Sequence, residues 1–201
     1  MTSSPHARTP RHSGRKIGAL LLAQMIVAPI MNFVLLEPVF SAPGFLEKAA
    51  VYSVQVSVAA LLGLVLGALS LGIAIVAFPV IRPLNPTLAL WLLALAVASF
   101  SLTAVESTTV MSLLSLSQAY AKADSADSEL FQALRVVVAS ARNWAHYIGL
   151  IVAGSMVFVL YAVLCRFTLV PRALAAFGMA AALLQIAAVT MPLFGHRIVF
   201  L

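Results

Sequence analysis

Between Val51 and Val80 the chain carries no Asp, Glu, Lys or Arg. No other feature constrains the fold as strongly. About 20 apolar residues suffice for a helix to cross the hydrocarbon of a bilayer, where every backbone polar group must be satisfied internally. A barrel would instead show alternating strands of about ten residues, and none is visible. Composition points the same way. The chain is 63% hydrophobic and 9% charged, whereas soluble domains are about 25% charged. The sequence reads as an integral membrane protein.

Four more runs meet the same length requirement. The expected spans are 16–36, 51–80, 87–117, 143–164 and 173–191. The predicted fold is all-α, a polytopic transmembrane helical bundle forming a single domain over 16–201. The basic, Pro-containing segment 1–15 reads as a flexible tail, against the competing reading of a cleaved secretory signal. The final "PLFGHRIVFL" reads as an interfacial end or as the start of a truncated sixth span. Between the spans, "IRPLNP" marks a tight turn, since two prolines and an asparagine disfavour helix there.

Charge sets the expected orientation. Arg8, Arg11, Arg15, Lys16, Arg82, Arg166 and Arg172 fall on one side of the five spans. Lys48, Lys122, Arg135, Arg142 and Arg197 fall on the other, with Glu37, Glu47, Asp124, Asp127 and Glu129. The positive-inside bias then places the N-terminus in the cytoplasm. No basic recognition stripe forms, so no nucleic-acid partner is expected. The lone Cys165 permits no intrachain disulfide.

Helices in lipid associate through small residues and polar contacts. Gly63 and Gly67, with Gly72 further along, mark seams on the second span; Gly149 and Ala153, with Ala145, do so on the fourth. The spacing is not specific: intrachain packing is the expected use, and a dimer seam is the alternative. Pro29 removes a backbone donor and is expected to kink the first span near Asn32.

Glu106 is the one acidic residue within an apolar run. It lies roughly 28 Å along its helix from the turn at Thr87, in the outer half of the membrane. On a 100° wheel Ser99, Thr103, Thr109 and Ser117 share its face. Counted from the outer ends of their spans, Asn32, Gln55, Arg142, Asn143, His146, Tyr147 and Gln185 fall in a similar range of depth. An ionised carboxylate in hydrocarbon costs on the order of 3 kcal/mol, which pairing offsets. Arg142 is the first candidate partner and His146, one turn on, the second. This candidate cluster is either a structural ion pair or a site for a solute, a lipid headgroup or a proton. Metal ligation by His146, Glu106 and His196 has no recognised spacing behind it, so no metal and no cofactor is expected. Walker, dinucleotide-binding and G-x-S-x-G signatures are absent from the sequence.

Several stretches carry a resemblance. They are "RKIGALLLAQMIVAPIMNFVLLEPVF" (15–40), "FPVIRPLNPTLAL" (78–90), the third-span glutamate, "LVPRALAAFGM" (169–179) and "PLFG" (192–195). Together they resemble a family of bacterial membrane proteins of about six helices grouped only as a domain of unknown function. The resemblance implies a bacterial inner-membrane location and transfers no activity. Two departures stand out. A sixth helix after "LFG" is missing here, and Leu102 and Thr103 stand where members often carry an arginine. Three functions stay open. The first is an accessory or regulatory subunit working through a homo-oligomer or a membrane protein partner in the lipid bilayer. The second is a carrier or binding protein using Glu106. The third is an intramembrane lipid-modifying enzyme.

Overall fold

The computed structural model describes residues 9–42, 44–123 and 128–194. Helix α1 (Thr9–Pro29) continues into a π-helical segment, Ile30–Leu36. Two short helices follow, α2 (Glu37–Phe40) and α3 (Phe45–Lys48). Then come α4 (Ser53–Ile81), α5 (Pro86–Tyr120), α6 (Ser128–Arg166), α7 (Arg172–Thr190) and a 3₁₀ turn, Met191–Phe194. Among the described residues, five stretches are long and apolar enough to cross a membrane: His12–Phe40, Ser53–Ile81, Pro86–Tyr120, Glu129–Arg166 and Arg172–Phe194. The protein is an all-α, polytopic membrane bundle.

Local chemistry explains the helix boundaries. Asn85 caps α5, its Oδ1 accepting from the Leu88 amide at 3.0 Å, and Pro86 follows in the first helical position, where its missing donor costs nothing. Helix α1 begins at Thr9 with Pro10 in its first turn. Residues 1–8 lie outside the description. Helix α6 likewise starts well before 143, because "ELFQALRVVVASAR" holds no Gly or Pro to stop it.

Pro29 ends the regular winding of α1. It has no N–H to donate, and the chain goes on in π-helical turns up to Leu36. The Glu37 amide bonds the Asn32 carbonyl, five residues back. Asn32 turns its side-chain amide onto the Ala28 carbonyl at 3.0 Å. From α4, Gln55 Nε2 donates to the Leu35 carbonyl at 2.8 Å and reaches that of Val34 at 3.4 Å. A backbone whose winding changes in the membrane is thus held by amide side chains.

The core is apolar, as in a water-soluble protein, but so is much of the outer surface. Among the described residues the buried polar ones are the serines Ser99, Ser107 and Ser117, while Met25, Phe33, Phe177 and Leu184 are exposed. Such a surface suits hydrocarbon.

The helices pack as two compact units. One holds the described residues of Met1–Leu22, Leu69–Phe100 and Tyr147–Leu201. Its core is Ile73, Ala77 and Ile81 of α4, Leu92 and Ala96 of α5, and Met156, Leu160 and Val163 of α6. Two glycines let helices approach there. A Cβ on Gly154 would lie 2.9 Å from Ile186 Cγ1, and one on Gly178 would lie 2.5 Å from the Tyr161 ring.

The other unit holds Ala23–Ala68 and Ser101–His146. Its core joins Val39, Phe45 and Ala49 to Val56 and Ala60 of α4 and to Val110, Leu113 and Leu114 of α5. The connector 37–50 is therefore a packed element and not a solvated loop. Ser117 pins it. This fully buried hydroxyl donates to the Leu46 carbonyl and accepts from the Ala50 amide, both at 2.8 Å. Gly44, at φ +118°, makes the turn into α3 in a conformation that side chains rarely adopt.

Candidate functional site

The unit formed by Ala23–Ala68 and Ser101–His146 contains Glu106, Arg142 and His146. Glu106 stands on α5 beside Ser107, whose buried hydroxyl donates to the Ala60 carbonyl of α4 at 3.1 Å. Gly63 makes room for that hydroxyl, since a Cβ there would come within 2.9 Å of it. This contact fixes the rotation of α5 about its axis. Thr109 bonds back to the Glu106 carbonyl at 2.7 Å.

Two donors from α6 converge on one carboxylate oxygen. Arg142 Nη2 lies 3.2 Å from Glu106 Oε1, and His146 Nδ1 lies 2.9 Å from the same atom. A carboxylate only accepts, so the Nδ1–H donates. One helical turn separates Arg142 from His146, which lets both reach a single acceptor. The three side chains keep 19%, 16% and 27% of their surface, in the order Glu106, Arg142, His146. Charge-assisted bonds in a partly desolvated site are stronger than their equivalents in water.

Arg142 is held on further sides. Its Cζ lies 5.1 Å from the centroid of the Phe40 ring, a cation–π arrangement. Nη1 donates to Asn143 Oδ1 at 3.4 Å. Nε is buried with no hydrogen-bond partner among the described residues. Phe40 in turn meets Phe45, with ring centroids 6.0 Å apart.

The other sequence candidates take different places. Asn32 and Gln55 bond to backbone carbonyls of the first span. Tyr147 and Gln185 belong to the other unit, Gln185 exposed on α7. Gly63 and Gly67 are buried on α4, and Gly72 lies against Leu20 of α1. Gly149 and Ala153 are half-buried. Sequence reasoning missed Phe40, Ser107, Gly154 and Gly178 as contact residues. Phe40 and Gly178 lay in stretches that carry the family resemblance, "RKIGALLLAQMIVAPIMNFVLLEPVF" and "LVPRALAAFGM"; Ser107 and Gly154 carried no signal.

Concave regions of this unit lie near the site. A cavity of about 530 Å³ between α4 and α5 is lined by Ser57, Ala60, Leu61, Leu64, Ala104, Ser107, Thr108 and Met111. The hydroxyls of Ser57, Ser107 and Thr108 are all tied to backbone carbonyls. A second cavity of about 310 Å³ is lined by Phe40, Gly44, Phe45, Arg135, Val136, Ala139, Ser140 and Asn143. Among the described residues no group of three or more His, Cys, Asp or Glu is placed to hold a metal ion. His196 lies outside them.

A family model described as a domain of unknown function, DUF4386, matches residues 17–200. No curated protein and no solved structure matches the chain.

Proposed function

The chain belongs to the DUF4386 family of membrane-embedded proteins, and from that premise we propose that it acts through assembly, as an accessory or regulatory subunit of the bacterial inner membrane with its N-terminus in the cytoplasm. One observation carries this reading. The membrane-embedded carboxylate is engaged by Arg142 and His146 on a single oxygen, in direct contact. A charge committed in this way holds α5 to α6 and leaves the protein's surface and its partners as the place of action. The orientation rests on the distribution of basic residues between the spans.

Purification in a mild detergent, followed by native mass spectrometry, tests the reading. A homo-oligomer or a stoichiometric membrane partner is the expected result. A strictly monomeric, partnerless protein overturns it.

The exposure left on Glu106 and His146 supports a second reading, a proton or small-solute site. Proteoliposomes under an imposed pH gradient separate the two. Proton flux that Glu106→Gln abolishes favours a carrier; no flux in either protein favours assembly.

A further inference from the structure

We infer that the cavity lined by Arg135, Ser140 and Asn143 is a binding site for the phosphate headgroup of an anionic phospholipid. The inference goes beyond the assembly reading and does not depend on Glu106. Residues 135, 136, 139, 140 and 143 all line the cavity, and their spacing puts them on one face of α6. The facing wall is Phe40, Gly44 and Phe45. The volume of about 310 Å³ is at the lower edge of small-ligand sites, which run about 300–1,000 Å³.

The electrostatics select an anion. Arg142, on the same side of α6, has its charge matched by Glu106. Among the described residues no carboxylate pairs with Arg135. Asn143 accepts from Arg142 through Oδ1, which leaves its NH₂ as a donor. The Ser140 hydroxyl is a third donor. The polar groups of the cavity are thus one guanidinium and two neutral donors, and a guanidinium matches phosphate oxygens in pairs.

The remaining lining selects a lipid over a free ion. Phe40, Phe45, Val136 and Ala139 are four of the eight lining residues, an apolar half that suits the glycerol and first methylenes of a lipid and gives nothing to a hydrated ion. The level agrees. In sequence these residues of α6 precede or open its expected span at 143, so they stand at the outer edge of the membrane, where headgroups meet water.

The test uses the full chain in detergent with added phosphatidylglycerol, phosphatidylcholine or inorganic phosphate, read by native mass spectrometry and melting temperature. Phosphatidylglycerol is expected to be retained as a one-to-one adduct and to raise the melting temperature, with phosphatidylcholine about tenfold weaker. Arg135→Gln is expected to weaken phosphatidylglycerol by about tenfold, roughly 1.4 kcal/mol. Ser140→Glu places a carboxylate at the exposed rim and is expected to abolish the preference while keeping the melting temperature of the lipid-free protein. Equal retention of phosphatidylglycerol by wild type and both variants overturns the site. A shift reproduced by inorganic phosphate, with none from phosphatidylglycerol, overturns the lipid assignment.

Discussion

Glu106 concentrates the energetics of its unit in one oxygen atom. Removing its charge leaves a mostly buried guanidinium facing only an aromatic ring and a neutral amide. Stripping one partner from a fully buried pair costs about 3–5 kcal/mol. The residual exposure here lowers that, and Glu106→Gln is expected to cost about 2 kcal/mol. Arg142→Gln should cost a similar amount, and the double variant less than the sum, with a coupling of about 1–2 kcal/mol. Unfolding in mixed micelles measures all three, and strict additivity would show that the pair contributes nothing. Ser117 offers a second test. Ser117→Ala strands both the Leu46 carbonyl and the Ala50 amide, and a loss of about 1–3 kcal/mol is expected. Hydrogen exchange should rise first at Ala50.

At the scale of elements, close approach of helices is set by where a glycine meets a neighbour. A Cβ on Gly178 would meet three atoms of the Tyr161 ring within 2.6 Å, whereas one on Gly18 meets nothing within 4 Å. Gly178→Ala is therefore expected to lower stability by about 1–3 kcal/mol through overpacking of α6 on α7. Gly18→Ala should be neutral or gain up to about 1 kcal/mol from helix propensity. Adding Tyr161→Leu to Gly178→Ala should recover part of the loss. Thermal melts of the four proteins decide it, and equal melting temperatures for the two glycine variants would reject the packing account. The π-helical segment after Pro29 depends on a different device. Its carbonyls at Leu35 and Val34 are capped by Gln55, so Gln55→Leu should increase exchange in 33–37 while leaving α5 and α6 unaffected.

At the scale of the whole molecule, the prediction concerns how the chain threads the membrane. Ser41 lies in the connector before α3, and Leu84 in the turn between α4 and α5; both are exposed. With Cys165 replaced by serine, Ser41→Cys is expected to react with a membrane-impermeant maleimide in intact cells. Leu84→Cys should react only after permeabilisation. The opposite pattern would reverse the proposed orientation. A surface rich in large aliphatic residues, around an apolar core that holds a few buried serines, also explains why the fold needs specific polar contacts. Lipid gives two apolar helices no reason to prefer each other over acyl chains.

The five membrane-crossing helices were legible because that property depends only on the length and apolarity of a local stretch, and bilayer thickness sets the threshold. The turn at Asn85 was legible for the same reason, since capping needs only neighbouring residues. The helix starts at Thr9 and Ser128 were not, because polar residues outside the apolar runs carry no hydropathy signal. The sequence placed eight polar candidates at a similar depth and ranked Arg142 and then His146 as partners of Glu106 by charge and spacing, but it could not show which side chains meet. That depends on how far each helix is rotated, which Gly63 and Ser107 set by their contact between α4 and α5. Only the tertiary structure brings Glu106 to Arg142 and His146 while tying Asn32 and Gln55 to backbone. It likewise turns the connector 37–50 into a packed wall and places Phe40 over Arg142. A contact between residues far apart in sequence is a property of packing, and no local pattern encodes it.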